Sequence, residues 1–120
     1  MATSDLPTEV RRREHVAVID LMGDVNAGAE ESLNAAWDEA TLGGPDAVVL
    51  NFEGAGYINS TGIALIVGLL ARARAHTIPI RAYGLSPHYR EIFEITRLAD
   101  FVAIRPDEDS AVRGADRSNA

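Results

Sequence analysis

The run Ala47-Val48-Val49-Leu50-Asn51-Phe52 constrains the fold most. It is apolar almost without a break, too short for a helix of ordinary length, and rich in β-branched residues. A strand that shows no polar alternation is buried on both faces, as a central strand of a helix-covered sheet is. The neighbouring segments supply the covering layers. His15 to Met22 is a second β-rich run, preceded by Thr8 to Glu14 as a more exposed strand, and Pro79 to Tyr83 is another, stopped by Gly84. Phe101 to Ile104 is a short final strand.

Between these lie helical patterns. Ala29, Leu33, Ala36, Trp37 and Ala40 recur at three- and four-residue spacing, predicting a helix over about Ala27 to Ala40 that ends before Gly43-Gly44-Pro45. Glu30 and Glu31 suit the dipole of its first turn. Ser86-Pro87 opens another helix, with Ser as N-cap and Pro at the first helical position, burying Tyr89, Ile92, Phe93 and Thr96. Alternating strands and helices predict a single α/β domain over residues 8–112 with a mixed, mostly parallel sheet. Residues 1–7 and 113–120 are expected to be flexible ends, with a short helix after Pro106.

The longest apolar helix follows Tyr57-Ile58-Asn59-Ser60-Thr61-Gly62-Ile63 and should end near His76. Ile63, Ile66, Val67 and Leu70 form its expected buried stripe. Thr61, Leu65, Gly68 and Arg72 fall on the opposite side, where Ala64, Leu65, Gly68 and Leu69 would make a smooth, uncharged patch fit to receive a partner. Asn59 or Ser60 caps this helix. A helix start offers unpaired N–H groups and a partial positive charge, so a phosphate on Ser60 would be tolerated there. A partner packed on Leu65 and Gly68 would have to desolvate it. Gly62, costly in a helix interior relative to Ala, would let something approach the backbone.

Other chemistry is poorly supplied. The chain has no cysteine, which excludes disulfides and thiolate metal sites, and its three histidines, His15, His76 and His88, show no paired spacing. No metal or other cofactor is expected. Ser60 has a glycine at only one of the two flanking positions that a nucleophile elbow needs. Gly54-Ala55-Gly56 lacks the residues that would complete a phosphate loop and reads as a turn. The formal net charge of −7 argues against nucleic-acid binding. Arg11-Arg12-Arg13 is the only basic cluster, expected to be a solvated edge, and Asp107-Glu108-Asp109 is likewise expected to be solvated. No apolar run approaches the roughly 18 residues that span a bilayer, and no signal peptide is visible at the start, so a cytoplasmic protein without membrane insertion is expected.

Three segments together resemble the STAS domain of bacterial anti-sigma factor antagonists. Val18 to Asn26 is similar to the family's strand ending in Gly-Glu-Leu-Asp. Val48 through Ile66 is similar to a strand, a loop, and Asp-Ser-x-Gly-Leu at a helix start. Leu85-Ser86-Pro87 with Ile92-Phe93 and Leu98 is similar to the family's Ser-Pro helix. The resemblance covers about Val10 to Ile104 and implies helices packed mainly on one side of the sheet. It also implies a non-enzymatic binding module whose partner is an anti-sigma factor and serine kinase of the histidine-kinase-like ATPase type. On this resemblance Ser60 is the phosphoacceptor, with Thr61 the second choice. The partner surface comprises Asn26, Asn59, Ser60, Thr61, Gly62, Ala64, Leu65, Gly68 and Arg72, and a serine phosphatase reverses the modification. Asn59 and Asn26 stand where the family has Asp, and that loss of charge favours a second reading, an unphosphorylated STAS subunit of a signalling scaffold or lipid-transport complex. An enzyme or nucleotide-binding domain is the third.

Overall fold

The computed structural model describes residues 6–114. The elements run β1 (Thr8–Arg13), β2 (Val16–Leu21), a 3₁₀ turn (Ala27–Ala29), α1 (Glu30–Thr41), β3 (Ala47–Asn51), α2 (Ser60–Ala75) and β4 (Ile80–Tyr83). Then follow α3 (Pro87–Ile95), a second 3₁₀ turn (Leu98–Asp100), β5 (Ala103–Arg105) and α4 (Glu108–Arg113). The strands lie in sequence order, β1-β2-β3-β4-β5; β1 pairs antiparallel with β2, and the remaining neighbours are parallel. β3 is thus the middle strand, and Ala47 to Leu50 are buried, as the unbroken apolar run requires.

Side chains alternate across this sheet. Ala17, Ile19 and Leu21 of β2, Val48 and Leu50 of β3, and Ile80 and Ala82 of β4 join the core with Trp37, Ile66, Leu69 and Phe93 of α1, α2 and α3. Val16, Val18, Ala47, Val49 and Tyr83 point the other way, where Ala111 and Val112 of α4 cover them. Three helices on one face and one short helix on the other make the single α/β domain.

Several details differ from the sequence reading. Leu6 is 2 % exposed and the Pro7 carbonyl accepts the Met22 N–H, so these two residues are built into the fold. At the other end Arg113 closes α4, and Gly114 caps it at φ 61°, the left-handed conformation glycine adopts freely. The remaining residues expected to be flexible, 1–5 and 115–120, lie outside the described residues. On α2 the stripe is turned: Val67 is 42 % exposed, whereas Leu69 is buried. On α3 only Phe93 is fully buried; Tyr89 and Ile92 are half-buried and Thr96 is exposed.

The two charge clusters are only partly solvated: Arg12, Asp107 and Asp109 are exposed as expected, whereas Arg11, Arg13 and Glu108 are half-buried. Strand alternation sends Arg12 to the α1 side, where it donates to the Glu39 and Ala40 carbonyls at the helix end. Arg11 and Arg13 face α4. Arg11 forms a two-pronged pair with Asp20 (2.7 and 2.9 Å) and donates to both Glu108 carboxylate oxygens at 3.0 Å. Arg13 reaches Glu108 at 2.8 Å and Asp109 at 3.1 Å, while the Tyr83 hydroxyl donates to Glu108 at 2.7 Å. Asp107 caps α4 through the Ser110 N–H. Hydrogen bonds from Arg11 hold the Glu108 carboxyl down at about 2 against its burial, with Arg13 and Tyr83 adding to the effect. Burial raises the Asp20 carboxyl, but Arg11 and Asn51 donate to it and leave it lowered overall. Burial and the bond to Glu108 together push the Tyr83 phenol up.

Candidate functional site

Parallel β-α-β connections place the starts of α1 and α2 at the same end of the molecule, beyond the carboxyl ends of β2 and β3. The two loops there are stitched together. Gly56 N–H donates to Gly23 O (2.9 Å), Val25 N–H to Tyr57 O (2.9 Å) and Asn59 N–H to Val25 O (3.2 Å). Val25 and Ile58 form an isolated parallel bridge, and Asp24 Oδ1 accepts the Tyr57 N–H at 2.8 Å. A Cβ at Gly56 would meet Asp24 Oδ1, so the carboxylate would have to move away from the Tyr57 N–H to make room for it.

Ser60 follows this stitched segment directly. Asn59, in extended conformation, is the N-cap of α2, and its Oδ1 accepts the Gly62 N–H at 2.8 Å. The choice between Asn59 and Ser60 as cap is therefore resolved, and the Ser60 side chain is released from that task. Ser60 and Thr61 are both exposed at the first turn, and among the described residues no hydrogen bond holds either hydroxyl. Asn26 does the same work one loop away, accepting the Gly28 N–H at 2.9 Å and capping the first 3₁₀ turn. Both asparagines need only a side-chain oxygen for this, so an aspartate in either place would make the same bond.

The other expected surface residues divide. Ala64 and Gly68 are exposed on the same side as Ser60, joined by Val67 and Ala71, so the open face of α2 is Ser60-Thr61-Ala64-Val67-Gly68-Ala71. Leu65 is half-buried and packs on the core. Leu69 faces inward, so the smooth patch does not include it. Gly62 is buried; a Cβ would run into the Val25 carbonyl, so the close approach it permits is internal, between the two loops. Arg72 is engaged within the domain, donating to Asp38 at 2.8 Å and Asn34 at 3.2 Å and lying over the Trp37 ring.

Sequence reading missed two parts of this end of the molecule. Tyr57 is 71 % exposed beside Ser60, an apolar body with a polar tip. Tyr89 of α3 accepts the Ile58 N–H at 2.9 Å. Nothing local in the sequence announces either contact. Asp24, Glu30, Glu31 and Glu53 also occupy this end, the loops and helix starts beyond β2 and β3, without an arginine among them. Among the described residues no three His, Asp or Glu side chains gather to hold a metal, and no helix is long and apolar enough to cross a membrane.

A mixed sheet with this strand order, three helices on one face and a capped serine helix start define a small α/β domain of a distinct type. The family model of the STAS domain matches residues 7–111, and the chain belongs to that family. No curated protein matches the sequence. Among solved structures, the phosphorylated form of the Bacillus cell fate determinant SpoIIAA is similar at 22 % identity, covering 89 % of this chain and 98 % of that one, with a TM-score of 0.67. An anti-sigma factor antagonist from Mycobacterium paratuberculosis is 17 % identical, covering 91 % and 92 %, with a TM-score of 0.74. A putative anti-sigma factor antagonist from Thermotoga maritima is 15 % identical, covering 91 % and 92 %, with a TM-score of 0.75. These likenesses establish the shared fold.

Proposed function

We propose that this STAS domain is an anti-sigma-factor-antagonist-like module acting in the cytoplasm. In this reading it is a binding protein, not an enzyme. Its unmodified Ser60 edge binds an anti-sigma factor that is also a serine kinase of the histidine-kinase-like ATPase type. Phosphorylation of Ser60 ends the complex, and a serine phosphatase restores it. The observation that carries the reading is the division of labour at the α2 start: Asn59 caps the helix, and among the described residues no hydrogen bond holds the exposed Ser60 hydroxyl.

The local physics supports a release switch. A phosphoserine carries nearly two negative charges, and the free N–H groups of the first helical turn can donate to its oxygens. The folded domain therefore tolerates the modification. A partner lying on Ser60, Ala64, Val67 and Gly68 would have to strip water from that phosphate, at the end of the molecule that also carries Asp24, Glu30, Glu31 and Glu53. The SpoIIAA relative is known in a phosphorylated form, which fits this reading without deciding it.

Incubation with the anti-sigma kinase of the native cell and ATP, followed by peptide mapping, tests the proposal. Phosphate on Ser60, lost in Ser60→Ala, is the expected result. Phosphate on another residue, or none under conditions where the kinase modifies its other substrates, would overturn it.

A further inference from the structure

We infer that Tyr89 is a positioning residue for Ser60: its phenol, standing on α3, fixes the backbone that leads into the α2 cap. The inference rests on the reading of Ser60 as phosphoacceptor and adds a control point on a different helix.

Between β3 and α2 the chain runs through Phe52 to Asn59 without regular structure, apart from the bridge at Ile58. From Ala55 to Asn59 its N–H groups are satisfied one by one. Ala55 N–H goes to the Phe52 carbonyl, and Gly56, Tyr57 and Asn59 N–H go to the β2–α1 loop, at Gly23, Asp24 and Val25. Phe52 N–H, where the segment leaves β3, goes to the Tyr83 carbonyl of β4; of the N–H groups from Ala55 to Asn59, that of Ile58 alone leaves this pair of loops, crossing to the Tyr89 hydroxyl oxygen at 2.9 Å. Ile58 is buried, 5 % exposed, so its N–H depends on that one acceptor. The next residue is Asn59, whose extended backbone and Oδ1 set the cap, and the residue after it is Ser60.

The ring itself is half-buried against the main core and edge-on to His88, with centroids 4.8 Å apart. A cavity of about 170 Å³, lined by Phe52, Ile58, Leu85, Ser86 and Tyr89 among others, lies along it. The ring is therefore not wedged on that side, and the hydrogen bond holds the hydroxyl in place. A shift of α3 would pass through this single bond to the cap of α2. Losing it would free Ile58 and Asn59 to leave the conformation in which Ser60 is presented.

The test uses the full chain carrying Tyr89→Phe, which removes one oxygen, and Ser86→Ala as a control. Ser86→Ala loses the α3 cap, the Tyr89 N–H bond to Ser86 Oγ, and leaves the Ile58 contact in place. Hydrogen exchange followed residue by residue is the first readout. Tyr89→Phe should speed exchange at Ile58 about tenfold, the equivalent of one hydrogen bond, and also at Gly62, which Tyr89 does not touch. Val18 and Val49 in the central strands should keep their rates. The second readout is Ser60 phosphorylation by the anti-sigma kinase. Tyr89→Phe should raise KM several-fold with kcat retained, because only a fraction of the domain then presents Ser60 correctly. Unchanged exchange at Ile58 and Gly62 overturns the inference. So does an unchanged KM, or the same KM rise in Ser86→Ala. If the wild-type chain takes no phosphate on Ser60, the switch reading falls, while the exchange data still decide what Tyr89 holds.

Discussion

The two faces of the sheet are closed by different forces. On the α1–α3 face, apolar side chains interlock and the backbones come close enough that a single methyl group matters. On the α4 face, a six-residue helix is attached by charge: Glu108 gathers Arg11, Arg13 and Tyr83 at its start, and Arg81 donates to the Ala111 carbonyl near its end. So short a helix buries little apolar surface of its own, chiefly Ala111 and Val112, and could not hold to the sheet on that area alone. The difference shows how one small domain can keep its Ser60 end free. Arg11, Arg13 and Arg81 are engaged at the α4 face and Arg12 at the end of α1, and among the described residues no ion pair forms at the Ser60 end.

The largest expected effect falls on the packed face. Gly62→Ala would drive a Cβ into the Val25 carbonyl, which cannot rotate away as a side chain can. We expect a loss of about 3 kcal/mol, or roughly 10 °C in Tm, measurable by thermal unfolding. A smaller loss than that of Glu108→Gln would mean that the joint between the two loops is looser than the apolar packing implies.

Glu108→Gln tests the charged face. It keeps the shape of the side chain and removes the charge that Arg11 and Arg13 share. Its expected cost at neutral pH is about 2 kcal/mol, allowing for a side chain that is 25 % exposed. The folded carboxyl lies at about 2 against an ordinary value of 4.5. Its contribution is therefore complete above about pH 5 and drains away as pH falls toward 2; Asp20, also lowered, acts with the same sign. Urea midpoints of the wild type should fall through that window, and those of Glu108→Gln should fall less. Parallel curves for the two proteins would show that α4 is held by packing after all.

The two faces were also unequally legible in the sequence. β3 was readable because burial on both sides leaves an unbroken apolar run, and Ser86-Pro87 because a cap and a fixed φ are local. The α4 network was not, because Arg13 and Glu108 stand 95 residues apart and each looks like part of a charged surface run. The available signal was Asp20, a lone carboxylate in the apolar strand VAVIDL, which had to find a cation. On α2 the element and its start were readable, but its rotation was not. Ile63 to Leu70 is apolar nearly all the way round, so periodicity cannot say which arc meets the sheet, and Val67 and Leu69 exchanged places. Ser60 could be placed because a helix start is a local event. The Tyr89 contact depends on tertiary packing and could not be.

Asn59→Ala acts on the boundary between the packed face and the open end. It removes the oxygen that accepts the Gly62 N–H and should cost about 1 kcal/mol. Asn59→Asp should stay within about 0.5 kcal/mol of the wild type, since Asp and Asn cap almost equally well. The pair separates two roles of this position. A change in affinity for the proposed anti-sigma kinase in Asn59→Asp, with unfolding unchanged, would assign the loss of charge to recognition rather than to the fold.

The smallest effect should come from the second glycine of α2. Gly68 lies six residues beyond Gly62 in the same helix, and a Cβ there would meet nothing within 4 Å. Its backbone is helical, so alanine fits without strain, and the helix gains the propensity that glycine forfeits. Gly68→Ala should stabilise the domain by up to about 1 kcal/mol, opposite in sign to Gly62→Ala. The two changes differ only in what surrounds the added methyl: a carbonyl on the packed face, solvent on the open one. Paired unfolding curves read that contrast directly. If Gly68→Ala destabilised the domain in isolation, the open face of α2 would not be free, and a partner could not rest on Ser60, Ala64 and Val67 without displacing something first.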